Sequence, residues 1–93
     1  MQREQRKIES ALQSKGFRVD ETHHRYFIYH TVDGRRTEVK TYTSRGSKGS
    51  IGQPLLGQMA RQCRLPLRSF LDLVDCPLER EGYEELLHRD GVV

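Results

Sequence analysis

Apolar positions change their period twice along this chain of 93 residues. Ile8, Ala11, Leu12 and Lys15 follow the i, i+3, i+4, i+7 spacing of one helix face, with charges elsewhere, and predict a helix over 3–15. Gly16 stands where such a helix needs a C′ residue of positive φ. The pattern then shortens to alternation. Phe17-Arg18-Val19-Asp20 reads as a short strand, and 24–31, rich in Tyr, Phe and Ile, as a second. Asp33-Gly34 predicts a type I′ hairpin turn, in which both central residues take positive φ. A third strand over Arg36–Thr43 follows, with Val39 and Tyr42 as its apolar members. Beyond the loop 44–50 the helical period returns: Pro54 suits a first helical turn, and Leu55, Leu56, Met59, Ala60 and Cys63 continue one face. Pro66 opens a further helical segment with Leu67, Phe70, Leu71 and Val74, and Pro77 another with Tyr83, Leu86 and Leu87.

Helix, three strands and helices make an α+β fold of α-β-β-β-α order. A three-stranded antiparallel sheet packs against helices on one face, and a helical extension follows at the C-terminus. The chain is long enough for one core, so 1–93 reads as a single domain, with its centre at about 3–65 and the extension at about 66–90. The order resembles the double-stranded-RNA-binding-domain topology, and it leaves one sheet face open to solvent or a ligand.

Charge sharpens the picture. Residues 1–53 carry 11 Lys+Arg against 6 Asp+Glu, and residues 54–93 carry 5 against 7, so a basic first half precedes a mildly acidic tail. Such a half points to an anion-facing surface. No apolar run reaches the roughly 18–20 residues of a membrane span, and the first residues lack the apolar core of a secretory signal. Cys63 and Cys76 form no CxxC, which fits a reducing compartment; the chain reads as soluble and cytoplasmic.

Candidate chemistry concentrates in His23-His24-Arg25-Tyr26-Phe27-Ile28-Tyr29-His30, which holds three of the four histidines. Imidazole titrates near neutral pH and so suits proton transfer. Alternation puts His24, Tyr26, Ile28 and His30 on one face and His23, Arg25, Phe27 and Tyr29 on the other, and neither set is purely apolar. Half-buried strand histidines bonded to backbone are the bland alternative. Arg25, Arg35, Arg36, Lys40, Arg45 and Lys48 gather around the hairpin and the following Gly-rich loop, in a pattern suited to phosphate. If that loop leads directly into the helix near Pro54, the helix N-terminus adds partial positive charge. The loop is not GxxxxGK[ST], and the His and Cys spacing matches no common zinc pattern, so neither a cofactor nor a metal is expected.

A helix ending in Gly16-Phe17, a strand, then His24-Arg25-Tyr26-Phe27, the Asp33-Gly34 hairpin, a basic strand and a helix resemble the HicA-type toxins. The likeness runs over about 5–65, and the stretch from Met59-Ala60-Arg61-Gln62 to Asp75-Cys76-Pro77-Leu78 looks like a longer subgroup. The resemblance implies a small, metal-independent endoribonuclease acting on mRNA within a toxin–antitoxin pair, with a HicB-like antitoxin as protein partner. It implies His24 as the catalytic group, with His23 as the alternative one residue away. Arg25, Arg36, Lys40, Arg45 and Lys48 would then bind RNA. Family members carry Gly-Ser or Gly-Gly before the histidine, whereas this chain has Glu21-Thr22, which puts a carboxylate near the site. A non-catalytic RNA-binding module and a protein-interaction domain docking through its apolar tail are the competing readings.

Overall fold

The structure is a computed structural model that describes residues 2–21, 24–43 and 49–93. Its elements run β1 (Gln2–Glu4), α1 (Gln5–Ser14), β2 (Phe17–Glu21), β3 (Arg25–His30), β4 (Arg36–Thr43), β5 (Ser50–Gly52), α2 (Gln53–Gln62), α3 (Leu67–Asp75) and α4 (Arg80–Arg89). The α+β class and the antiparallel β2-β3-β4 sheet stand as the alternation predicts. β3 is central, so its buried side chains organise the packing. Phe27 and Tyr29 are fully buried, together with Ile8 and Leu12 of α1, Leu56 and Met59 of α2, Phe70 and Leu73 of α3, and Tyr83 and Leu87 of α4. Residues 66–90 thus contribute to the same apolar cluster as residues 8–65. Tyr83 illustrates how: it stacks on Phe17 at 5.7 Å, meets Tyr29 edge-on at 5.1 Å, and its hydroxyl donates to the Cys63 carbonyl at 2.7 Å.

Three details depart from the sequence expectation. Residues 3 and 4 are strand rather than helix, because β1 pairs antiparallel with β5, Arg3 opposite Ile51. A three-residue polar strand carries no alternation to read; its backbone partner alone defines it. The hairpin is not type I′. The Gly34 N–H donates to the Thr31 carbonyl, the Thr31 N–H donates to the Arg35 carbonyl, and in 31–35 Gly34 alone has positive φ, at 92°. This is the three-residue loop in which a turn over Val32-Asp33 ends in a left-handed glycine. The last helix begins at Arg80 rather than at Pro77: Cys76 takes φ 85°, the Leu78 N–H returns to the Asp72 carbonyl, and Glu79 becomes the N-cap. Among the described residues no helix is long and apolar enough to cross a membrane.

Gly16 ends α1 with φ 102°, and a Cβ there would lie 2.6 Å from Arg80 Nε and 2.9 Å from the Tyr29 ring. Gly34 has similar φ but open space around it. Gly16→Ala is therefore expected to cost about 2–4 kcal/mol in urea unfolding, conformational strain and overpacking combined. Gly34→Ala should cost only about 1–2 kcal/mol from φ alone. The reverse order would contradict this packing.

Arg3 of β1 grips Asp75 of α3 through two hydrogen bonds, of 3.0 and 2.8 Å, and Lys7 adds a contact at 3.2 Å. Hydrogen bonding from Arg3 and Lys7 and their charges hold the Asp75 carboxyl below its ordinary range. The Asp75 contribution is thus fully present above the unfolded carboxyl value, about 3.9, and is lost as pH falls through the lower folded value. Asp75→Asn should melt below wild type at pH 7, and the gap should close in acid.

Candidate nucleic-acid interface

Alternation on β3 sorts the candidate residues between two faces. Arg25, Phe27 and Tyr29 turn toward the helices. Tyr26 and Ile28 turn the other way, in register with Asp20 and Arg18 of β2 and with Tyr42 and Lys40 of β4. Ile28 is buried between its cross-strand neighbours, whereas Tyr26 and Tyr42 are half-buried and Arg18 and Lys40 exposed. Arg36 and Glu38 continue the exposed positions of β4. This open face carries Arg18, Arg36 and Lys40 against Asp20 and Glu38, and none of the five makes an ion pair among the described residues.

His24 sits just before β3 and is exposed. Its imidazole lies 5.2 Å from the Tyr42 ring and 5.9 Å, edge-on, from Tyr26. The two tyrosines are 5.7 Å apart, the Lys40 ammonium stands 5.2 Å over the Tyr26 ring, and Gln58 Nε2 of α2 donates to the Tyr42 hydroxyl at 3.4 Å. Among the described candidates, then, the structure brings His24 and Lys40 together and adds two tyrosines. The sequence pattern presents Tyr42 only as an apolar member of its strand. Its position two residues from Lys40 on an alternating strand is the signal that places it on this face. Arg36 lies on the same face at the other end of β4.

Arg25 is held elsewhere. Its Nη1 donates to Glu9 at 2.8 Å and its Nε to Glu21 at 3.0 Å; those bonds and the adjacent charges raise its already high pKa. Its guanidinium therefore faces carboxylates of α1 and β2 on the opposite side of the sheet from Lys40. The same pairing engages Glu21, whose carboxylate reaches from the end of β2 to Arg25 at the start of β3. Glu9 is the hub of this side. It also accepts from Thr43 Oγ1 of β4 at 2.8 Å and from Gln5 Nε2 at 3.0 Å. One carboxylate thus joins α1, β3 and β4 at the start of β3.

His30 closes the far end of β3 structurally, its Nδ1 3.0 Å from the Ile28 carbonyl. Arg80 donates to the His30 and Thr31 carbonyls at 3.1 and 3.0 Å, and Glu84 accepts from the Tyr29 hydroxyl at 2.7 Å and from the Val32 N–H at 2.8 Å. Burial, with the Glu84 hydrogen bond, pushes the Tyr29 phenol up; burial does the same to the Cys63 thiol. His23, Arg45 and Lys48 lie outside the described residues, as does most of the basic loop. That loop does not enter α2 directly, because β5 intervenes. Among the described residues no group of three or more His, Cys, Asp or Glu side chains is placed to hold a metal ion.

If Glu9 and Arg25 act as one unit, Glu9→Gln and Arg25→Gln should each lower the thermal midpoint, and the double variant should lose less than the two losses added. Additive losses would show the contact to be incidental. Compared with known proteins, the chain matches no family model, no curated protein and no solved structure.

Proposed function

We propose that this chain is a HicA-like, metal-independent endoribonuclease of the cytoplasm, cutting mRNA with His24. The observation that carries the reading is the exposed His24 imidazole against Tyr26 and Tyr42, with the Lys40 ammonium over the Tyr26 ring, on the open sheet face. A group able to exchange protons there stands against rings able to contact bases, and one of those rings carries a cation able to neutralise a phosphate.

His24 takes the proton of a ribose 2′-hydroxyl as that oxygen attacks the adjacent phosphorus, or it donates a proton to the departing 5′-oxygen. The P–O5′ bond breaks, leaving a 2′,3′-cyclic phosphate and a 5′-hydroxyl end. One imidazole supplies one of the two proton transfers, and water serves for the other. Lys40, with Arg45 and Lys48 of the basic loop, meets the charge that grows on the phosphate, and Arg36 contacts the RNA backbone farther along β4. Arg25 holds the start of β3 through Glu9 and Glu21 and so fixes the backbone next to His24. A HicB-like antitoxin that neutralises the nuclease belongs to the same proposal.

The tyrosine pair also favours a second reading, a module that holds RNA without cutting it. Incubation with RNA in EDTA separates the two. The nuclease releases fragments ending in cyclic phosphate, whereas the module retards RNA and releases none. Folded His24→Ala is expected to cut about 10²–10⁴-fold more slowly, the usual contribution of a general acid–base group. Unimpaired cutting by that variant, with His23→Ala measured alongside, would reject His24. Lys40→Ala should lower the salt slope of RNA binding by about one, while Arg25→Ala should leave the slope unchanged and lower stability.

A further inference from the structure

We infer that Tyr26 and Tyr42 form a stacking platform that seats unpaired nucleobases beside His24, making single-stranded RNA the ligand of the open sheet face. The choice of RNA rests on the ribonuclease reading above; the platform and the demand for unpaired bases go beyond it.

The four tyrosines of the chain divide into two kinds. Tyr29 and Tyr83 are fully buried, and their hydroxyls are committed to Glu84 and to the Cys63 carbonyl. Tyr26 and Tyr42 are half-buried, stand directly opposite each other on neighbouring strands, and lie outside the apolar core cluster. Cross-strand pairing accounts for their contact with each other. It does not account for the exposed imidazole against both rings or for the ammonium over one of them. Aromatic side chains on an open sheet, flanked by cations, are the arrangement on which unstacked bases lie.

Charge supports the same conclusion. Among the described residues this face carries three cations against two carboxylates, a small positive excess, so phosphate attraction from the sheet itself is a weak hold. Ring–base stacking then has to supply much of the affinity, and it requires bases whose faces are free. In an A-form duplex those faces are stacked on one another, and the deep major groove excludes side chains. Lys40, ahead of the rings, is left to meet the phosphate joining the stacked nucleotides.

The test uses a fluorescent 2′-O-methyl oligoribonucleotide, which lacks the 2′-hydroxyl nucleophile and so is bound without being cut. It is presented to the full chain as a single strand and annealed to its complement. The single strand is expected to bind at least about tenfold more tightly. Tyr26→Phe and Tyr42→Phe should bind like wild type, whereas Tyr26→Leu and Tyr42→Leu, which keep apolar bulk without the ring, should each weaken binding about 5- to 100-fold. The chain has four tyrosines and no tryptophan, so tyrosine emission reads the platform directly in the unmodified protein. Quenching by the single strand that diminishes in each Phe variant is expected. Equal affinity for the duplex, wild-type binding by folded Leu variants, or unquenched emission in the bound unmodified protein would each overturn the platform. Loss of the platform in these assays leaves cleavage at His24 standing. Tyrosine-dependent binding by a chain that never cuts unmodified RNA would instead overturn the nuclease and keep the platform.

Discussion

A three-stranded sheet in a chain of this size has enough helix to cover one face and not two. β3 is the central strand, so its alternation decides what each face becomes. Phe27 and Tyr29 bury themselves completely against helices drawn from both ends of the chain, and that commitment forces Tyr26 outward. A shift of one residue in the β3 register would exchange the faces, burying Tyr26 and exposing Phe27 and Tyr29. The core and the candidate site are two consequences of one strand's periodicity. On the covered face, Phe17, Tyr29 and Tyr83 pack ring against ring towards the other end of β3 from His24.

Both ends of β3 are secured by polar contacts that cross the fold. At its start, Glu9 gathers Arg25, Thr43 and Gln5, and Glu21 takes the other side of the same guanidinium. At its end, Arg80 and Glu84 of α4 hold the strand's last carbonyls and the hairpin backbone. His24 stands one residue outside the first of these clamps. An exposed side chain next to a fixed backbone can sample rotamers without losing its position, which suits a group that must reach a substrate and exchange protons with it.

Much of this was legible in the sequence because burial writes itself as period. The helix with Ile8 and Leu12, the strands around Phe27 and Val39, and the tail's Phe70 and Tyr83 all follow from spacing. What escaped was set by partners rather than pattern. β1 and β5 exist because their backbones meet, and the hairpin gained a residue, Val32, that Asp33-Gly34 alone did not reveal. The face of Arg25 was undecidable while both sets on β3 mixed charge with apolar residues. Its resolution lay in α1, where Gln5, Ile8, Glu9 and Leu12 share one stripe: a carboxylate on an inward stripe calls for a cation from another element. The open-face tyrosines were visible as residues but not as a pair, since pairing needs the register.

The central claim is that the open face of the sheet, at its His24 end, is where RNA binds. Amide chemical-shift mapping of the full chain during titration with an uncleavable single-stranded oligonucleotide tests it most directly. The predicted result is a patch of shifts over His24, Tyr26, Ile28, Lys40 and Tyr42, with α3 and α4 unchanged. Shifts confined to the helix-covered side, over α1, α3 or α4, would contradict it.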